Sequence, residues 1–269
     1  MQLRSKKTSG RNSSQEAVRA RATRRVRHWK KFLAWLDVHA DSSWVFRGLG
    51  DTRFGLVPGI GRGHYDLAKE RTILEIFERR ATEFLDLTQM SAWDKMALAQ
   101  HHGLPTRLLD WSTNPLVAAY FATTSNPMAL DVRKAGSRAK PFKAVPSAES
   151  VSARIVAFRV RSSAIVNPAT DEDPFARQEV GFVLPRSVAT RIVNQGGLFS
   201  CHPTPSIAWE EPLQSSKHIF DVPGDLRRYF QQRLFYLGIE PQRIMSGLDG
   251  VGSRLAWQYA AGIGLGAVR

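Results

Sequence analysis

The sequence predicts an α+β fold preceded by a basic helical arm. Several segments have apolar residues at helical spacings of three, four and seven, which is typical of amphipathic helices. Short runs of β-branched and aromatic residues lie between them and predict strands. Helices and strands do not alternate regularly, which favours α+β over a doubly wound parallel sheet. Apolar residues form 43% of the chain, enough for a substantial core.

The N-terminal segment differs from the rest in charge. Residues 1–31 contain eleven Lys or Arg and one acid, Glu16, whereas bases and acids nearly balance in the other residues. Residues 1–15 are polar and predict a disordered tail, and residues 16–40 predict a helix. Such an arm can bind the phosphates of a nucleic acid. It can equally be a solvated tail or a surface for a protein partner.

The elements of the main domain, 41–269, follow in order. The predicted strands are Trp44 to Arg47, "TRLLDW" (106–111), "ARIVAFRV" (153–160), "EVGFVLP" (179–185) and "GGLFSCH" (196–202). The predicted helices are 66–87, 92–102, "STNPLVAAYFATTS" (112–125), "RSVATRIVNQ" (186–195), 225–239 and a C-terminal helix after 239. Residues 125–150 contain several Pro, Ser and Lys and predict a mobile insertion.

The bulk sequence argues against several classes of protein. The single cysteine, Cys201, excludes an internal disulfide and a cysteine-rich zinc site. No apolar run resembles a signal peptide or approaches the roughly 20 residues of a membrane span. We therefore expect a cytoplasmic protein that does not bind a membrane. Neither a Walker loop nor a GxGxxG sequence is present.

The stretch "ALAQHHGLPTRLLDWSTN" (97–114) concentrates polar and titratable side chains between two apolar runs. One of His101 and His102 can donate a proton near neutral pH, and the other can cap the helix C-terminus. Arg107 and Asp110 lie on opposite faces if the segment is a strand, and either of them can order the turn by a salt bridge. Each residue alone has a structural interpretation, but their density indicates a functional site.

"WVFRG" (44–48) places an arginine at the end of a predicted buried strand. The planar guanidinium of Arg47 can bind a phosphate, a carboxylate or a ribose hydroxyl in a cleft. The structural alternative is an ion pair with a nearby acid such as Asp51.

Three segments together resemble the FRG domain, named for its Phe-Arg-Gly motif. They are "WVFRG" (44–48), "LAQHHGLPTRLLDWSTNPLVAAYFA" (98–122) and "NQGGLF" (194–199). In outline the resemblance runs from about Ser43 to about Gly250. It implies a single FRG domain over 41–269.

A more distant resemblance is to ADP-ribosyltransferase folds, and it implies a split sheet with flanking helices. Arg47 is similar to the early-strand arginine of these folds. "DWSTNPLVAAYFA" is similar to their second element, which is a Ser-Thr strand end followed by a helix with a small and an aromatic residue. Gln195 matches the late-strand position that many such enzymes fill with a carboxylate. The alternatives for that carboxylate are Glu179, Glu210 and Glu211.

This resemblance implies that NAD is the substrate. The implied catalytic residues are Arg47, His102 and Gln195, and the implied binding residues are Arg47, His101, Arg107, Asp110, Ser112 and Thr113. We expect an ADP-ribosyltransferase or NAD-cleaving effector of toxin or antiphage type. It would modify a nucleic acid or a protein, and an antitoxin is a candidate partner.

Two other classes of function remain open. One is a non-catalytic module that binds nucleotides or nucleic acid, for which the basic arm is the main evidence. The other is a metal-dependent nuclease that uses His101, His102 and Asp110. Adjacent side chains on a helix diverge by about 100°, so the two histidines are a poor pair of ligands for one metal ion. We therefore expect no metal site.

Overall fold

The computed structural model describes residues 5–63, 65–132, 142–186, 196–245 and 247–261. The chain divides into two compact units, residues 1–40 and residues 41–269. Each unit is described by itself below.

The first unit is one long helix, α1 (Ser5–Val38). Near its end, a ring nitrogen of His39 lies 2.7 Å from the main-chain carbonyl of Trp35. The helix begins eleven residues before the predicted start at Glu16, so its backbone includes most of the segment predicted as a tail. The segment contains no proline, and the single Gly10 costs a helix only about 1 kcal/mol, which does not force a break.

The second unit is built on a six-stranded sheet in which every pair of neighbours is antiparallel. This sheet and its flanking helices confirm the α+β prediction. The strands of the unit are β1 (Trp44–Leu49), β2 (Leu108–Ser112), β3 (Leu130–Val132), β4 (Phe142–Ala144), β5 (Ala153–Arg159), β6 (Gly181–Val183), β7 (Gly197–Cys201) and β8 (Ile219–Val222). Their order in the main sheet is β6-β7-β2-β1-β5-β8, and β3 pairs with β4 alone.

The second unit also contains helices, several of which pack against one face of this sheet. They are α2 (Glu70–Ala81), α3 (Ala92–His101), α4 (Pro115–Thr124), α5 (Arg227–Tyr236), α6 (Pro241–Met245) and α7 (Gly247–Ala261). Helix α3 packs its buried Trp93 and Met96 against Leu108 of β2. Helix α4 lies so close to β1 that a Cβ added at Gly48 would be 2.1 Å from the carbonyl oxygen of Ala118.

The other face of the sheet is covered by loops. Buried Leu56 follows β1 in the chain, and half-buried Trp209 follows β7. Both pack against the aromatic and aliphatic side chains of that face, which include Val45, Leu109 and Trp111. A hydrogen bond from the Trp209 main-chain nitrogen to the Leu56 carbonyl, 3.0 Å long, ties the two loops together.

The boundaries of some elements differ from the sequence prediction. The helix predicted over 66–87 is confined to Glu70–Ala81, because the chain turns at residues 82–85. Strand β8 was not predicted, since its four residues lie between a short 3-10 turn and Pro223. The segment 125–150, predicted as an insertion, contains the paired strands β3 and β4, and residues 133–141 lie outside the described part. The helix predicted at 186–195 also falls almost wholly outside it.

Candidate functional site

The two strands that carry the predicted site are paired over a very short length. β1 pairs with β5 along six positions, and β2 pairs with β7 along five. Between β1 and β2, both fully described, the register contains one pair, Phe46 with Ser112. Positions 47–49 of β1 therefore lie opposite 109–111 of β2 without a ladder of main-chain hydrogen bonds. We call this region the strand gap.

Arg47 places its guanidinium in the strand gap. Its Nη1 donates to the main-chain carbonyl of Asp110 and lies 3.6 Å from that residue's carboxylate. A side-chain donor thus occupies a place where a regular ladder would supply a main-chain N–H. The buried Nε of Arg47 has no hydrogen-bond partner among the described residues.

The surroundings of Arg47 are unfavourable for its charge. The side chain is 13% exposed. Burial lowers the pKa of Arg47, the carboxylate of Asp110 opposes that shift, and the like charge of Arg62 adds to it. Arginine stays protonated even so. A desolvated cation with an unpartnered nitrogen is a group that an anionic ligand would stabilise.

A cavity of about 260 Å³ opens at the strand gap. Arg47, Asp110 and Ser112 bring polar groups to its wall, and Phe46, Ala118 and Phe121 line apolar parts. Arg47 and Ser112, two of the site residues that the resemblance implies, thus line one cavity although 65 residues separate them. Helix α4 supplies the small and the aromatic residue, Ala118 and Phe121.

A chain of hydrogen bonds orients Asp110. Gln100 Nε2 donates to Asp110 Oδ1 at 2.9 Å, and the hydroxyl of Thr106 donates to Gln100 Oε1. Asp110 is 67% exposed, so its carboxylate remains accessible to solvent and ligands. Sequence reasoning missed Gln100 and Thr106. Their polarity inside the dense stretch 97–114 was the available signal, but only the packing of α3 beside β2 shows that they meet Asp110.

Ser112 and Thr113 order the turn from β2 into α4. The Oγ of Ser112 accepts a hydrogen bond from the main-chain nitrogen of Asn114 at 2.9 Å. Asn114, and neither Ser112 nor Thr113, caps the helix by accepting from the nitrogen of Leu116. The nitrogen of Thr113 donates to the carbonyl of Gly196 at 2.9 Å. Gln195 itself lies outside the described residues.

His101 and His102 do not line the strand-gap cavity. Their rings contact each other edge to face, 5.1 Å apart, at the C-terminus of α3. The resemblance implied His102 as a catalytic residue beside Arg47, but the structure does not bring the two to one cavity, and helix geometry gives the reason. His102 lies about 200° around α3 from Gln100, the residue that faces Asp110, so its exposed side chain points elsewhere.

Arg107 is committed to a structural contact. Its Nε and Nη2 donate to the carboxylate of Glu70, with the shortest distance 2.8 Å, and both side chains are buried. Its guanidinium also lies over the ring of Phe175, 4.4 Å from the centroid. Arg107 does not line the strand-gap cavity. The structure therefore separates it from Arg47, with which the sequence grouped it.

Asp51, the acid predicted as a structural partner of Arg47, pairs with Arg53 instead. Its two carboxylate oxygens accept from Arg53 Nε at 2.9 Å and Nη2 at 2.5 Å. The main-chain nitrogens of Arg53 and Met128 also donate to Asp51. The hydrogen bonds from the Arg53 side chain make the largest contribution to lowering the pKa of this carboxyl to about 2. Asp51 thus fixes the loop after β1.

Residues 42–129 match the family model of the FRG domain. An FRG domain therefore occupies residues 42–129. No curated protein and no solved structure matches the chain. The FRG match begins just before β1 and ends after α4, so it includes Arg47, Asp110, Ser112 and the helix that covers them. The strand gap therefore lies inside the segment that defines the FRG domain.

The acids considered as substitutes for Gln195 do not lie at the FRG strand gap. Glu179 and Glu211 line a separate cavity, and the exposed Glu210 lines neither. Asp110 is the carboxylate that the structure brings to Arg47. Within the described residues, no group of three His, Cys, Asp or Glu side chains is arranged to hold a metal ion. The described helices include none that is long and apolar enough to cross a membrane.

Proposed function

We propose that this FRG domain is an ADP-ribosyltransferase or NAD-cleaving enzyme whose site is the strand gap. The observation that carries the proposal is the largely buried, incompletely partnered guanidinium of Arg47 beside the carboxylate of Asp110 and the hydroxyl of Ser112. A cavity of about 260 Å³ is slightly smaller than a typical site for a whole cofactor. It suits the nicotinamide-ribose half of NAD, with the rest of the molecule over the rim.

Each residue has a role that matches its surroundings. Arg47 binds a phosphate or ribose oxygen, because its planar donors form paired hydrogen bonds with oxygen acceptors. Ser112 orients the ribose from the start of the turn. Asp110 lies where positive charge develops on the sugar as the bond to nicotinamide lengthens, as the carboxylates of glycosidases do.

The bond changes are those of a substitution at the ribose carbon. The bond between that carbon and the nicotinamide nitrogen breaks, and its electron pair neutralises the pyridinium ring as nicotinamide leaves. A nucleophilic oxygen or nitrogen of the acceptor, or water, forms the new bond. Its proton passes to Asp110 or to solvent. Positioning and electrostatic stabilisation provide the acceleration.

The test is release of nicotinamide from NAD, with transfer of labelled ADP-ribose measured in parallel. We expect turnover by the wild-type chain and at least a hundredfold loss in Arg47→Lys, which keeps the charge but loses the planar fork. Asp110→Asn should lose a similar factor. Arg154→Lys is the matched control, because Arg154 lies on the same sheet and pairs with Asp221. A folded Arg47→Lys protein with full turnover would refute the proposal.

A second candidate function, nucleic-acid binding, is supported by α1. This helix presents a run of exposed basic side chains, including Arg19, Arg21 and Arg27. Neutralising phosphates releases counterions, so the affinity of such a surface falls steeply with salt. It can recruit a nucleic-acid acceptor or act on its own.

The salt dependence of binding to duplex DNA and single-stranded RNA tests this function. Changing Arg19, Arg21 and Arg27 to Gln should weaken binding and flatten the plot of log affinity against log salt, by about 0.9 for each duplex phosphate that is no longer neutralised. The matched control changes three exposed arginines of the second unit, Arg79, Arg80 and Arg243. Equal slopes in the two triple variants would exclude α1 as the binding surface.

A further inference from the structure

A second cavity of about 530 Å³ lies on the loop-covered face of the sheet. Its size falls within the range typical of sites for small molecules. Four aromatic side chains line it: Phe158 of β5, Phe182 of β6, His202 after β7, and Trp209. We call it the Trp209 cavity. None of the residues that line it lines the strand gap.

The aromatic side chains form one connected wall. The rings of Phe158 and Trp209 meet edge to face with centroids 4.7 Å apart, and Phe158 stacks on Phe182 at 5.8 Å. His202 approaches Trp209 at 5.3 Å. Phe158 and Trp209 are half-buried and thus leave ring surface open to the cavity. Such a wall suits a flat ring, because aromatic faces and edges attract each other beyond their apolar contact.

A hydrogen-bond chain fixes which nitrogen of His202 carries its proton. Trp111 Nε1 can only donate, and it donates to Ser200 Oγ at 2.8 Å. Ser200 Oγ lies 2.8 Å from His202 Nε2, and its own proton has no other acceptor among the described residues. The hydroxyl therefore donates to Nε2. A neutral ring must then carry its proton on Nδ1.

The neutral form is the one present at physiological pH. Burial, reinforced by the positive charge of Arg47, lowers the pKa of His202 to about 4. The Nδ1–H has no hydrogen-bond partner among the described residues, and Nδ1 itself is not completely buried. His202 is only 3% exposed, but it lines the cavity beside the aromatic rings, and Nδ1–H is the donor that it can present there.

The rim of the cavity carries a cation. Arg161 is 81% exposed, and its guanidinium lies 3.6 Å from the carboxylate of Glu211, a loose contact. Arg177 also lines the cavity, but it donates to the carboxylate of Asp171. Arg161 can therefore turn to a ligand more readily than Arg177 can.

We propose that the Trp209 cavity binds the base of a nucleotide. The base stacks on Trp209 and Phe158, one of its edge acceptors receives the Nδ1–H of His202, and its phosphate reaches Arg161. Stacking plus an edge hydrogen bond is how unpaired bases are read in general. A purely hydrocarbon ring would leave the His202 donor unsatisfied, so the chain of bonds through Ser200 favours a nitrogen heterocycle. The proposal does not depend on NAD turnover.

Calorimetric titration with AMP, adenosine and ribose 5-phosphate tests the proposal. We expect AMP to bind more tightly than adenosine, and ribose 5-phosphate, which lacks a base, to bind at least tenfold more weakly than AMP. Trp209→Ala should weaken AMP roughly 5- to 100-fold, the range expected for losing one stacked ring. Trp209→Phe keeps an aromatic ring and should retain most of the affinity for AMP. This variant is the control for an intact fold.

His202→Phe keeps a flat ring and removes the donor, so AMP should bind about tenfold more weakly. The matched controls are His39→Phe and Trp257→Ala. His39 lies beside Trp35 in the first unit, and Trp257 of α7 lies beside Phe235 of α5. Neither should change AMP binding. Equal binding of ribose 5-phosphate and AMP, or unchanged AMP affinity in both His202→Phe and Trp209→Ala, would overturn the proposal.

A competition experiment distinguishes two sources of the base. If AMP displaces NAD, the cavity holds the adenine of a dinucleotide. If the two bind together, it holds a separate nucleotide. In either case AMP must bind through Trp209 for the proposal to stand.

Discussion

Two arginine–aspartate pairs join neighbouring strands of the sheet, and they differ in how completely the hydrogen-bond donors of the arginine are paired. Arg154 on β5 lies directly opposite Asp221 on β8, and two parallel hydrogen bonds of 2.8 and 2.9 Å join them. Arg47 on β1 extends to β2, where its Nη1 donates to the main-chain carbonyl of Asp110 and lies 3.6 Å from the Asp110 carboxylate.

The environments of the two arginines shift their acidities in opposite directions. Hydrogen bonding to Asp221 raises the pKa of Arg154, whereas burial lowers that of Arg47. The same residue types thus form a satisfied structural pair where the strands are fully registered. They form an incompletely satisfied cation where the strands separate. Register, more than residue identity, decides which arginine is available to a ligand.

The largest expected effect concerns the glycine beside the strand gap. A Cβ at Gly48 would lie 2.1 Å from the Ala118 carbonyl and 2.5 Å from the Ala122 nitrogen, both main-chain atoms that cannot turn aside. We expect Gly48→Ala to lower the free energy of unfolding by about 3 kcal/mol or more, measured by urea denaturation.

Gly252→Ala in α7 is the control, because nothing lies within 4 Å of its Cβ position. There alanine should stabilise the helix by about 0.5–1 kcal/mol. Similar free energies of unfolding in the two variants would show that the main chain of α4 is not as close to Gly48 as described.

The next effect concerns Asp51, whose folded-state pKa is about 2 against an ordinary 3.8. Because the folded value is the lower one, its stabilising contribution is complete above pH 4 and is lost as the pH falls towards 2. The shift corresponds to about 2 kcal/mol. Asp51→Asn should therefore cost about that much at pH 7 and flatten the acid limb of the stability curve. A pH profile identical to wild type would contradict this assignment.

The smallest effects compare the two pairs directly through double-mutant cycles on stability. Arg154→Met with Asp221→Asn should give a coupling of about 0.5–1 kcal/mol, typical of an exposed bidentate pair. Arg47→Met with Asp110→Asn should give a smaller coupling, since asparagine retains the main-chain carbonyl that Arg47 uses. A larger coupling for the Arg47 pair would make it a structural ion pair like the other.

The sequence predicted the parts of the fold that local chemistry determines. The β-branched and aromatic composition of 153–160 correctly indicated β5, and the helix predicted over 112–125 corresponds to α4, which begins three residues later at Pro115. Register was not predictable in the same way. Nothing local identifies Asp110 as the partner of Arg47, Arg53 as the partner of Asp51, or the four residues of β8 as a strand, because each depends on a segment distant in the chain or on the fold of a loop.

The candidate site was predicted only in part, because its contacts also join segments that are distant in the chain. Arg47, Ser112 and Asp110 were named from the sequence and line one cavity. His102 was grouped with them by proximity along the chain, and the turn of α3 directs it elsewhere. Gln100, two residues earlier, has the matching face and was overlooked, since glutamine at a helix end has no distinctive pattern.

Stabilisation of the folded chain by NAD tests the central claim most directly. A ligand that binds the native state alone, at 100 times its dissociation constant, adds about 2.7 kcal/mol and raises the melting temperature. We predict that NAD raises the melting temperature of the wild-type chain and of Arg154→Met equally, and raises that of Arg47→Met by a much smaller amount. Equal NAD-induced shifts in Arg47→Met and Arg154→Met, or no shift in any of the three proteins, would contradict the account.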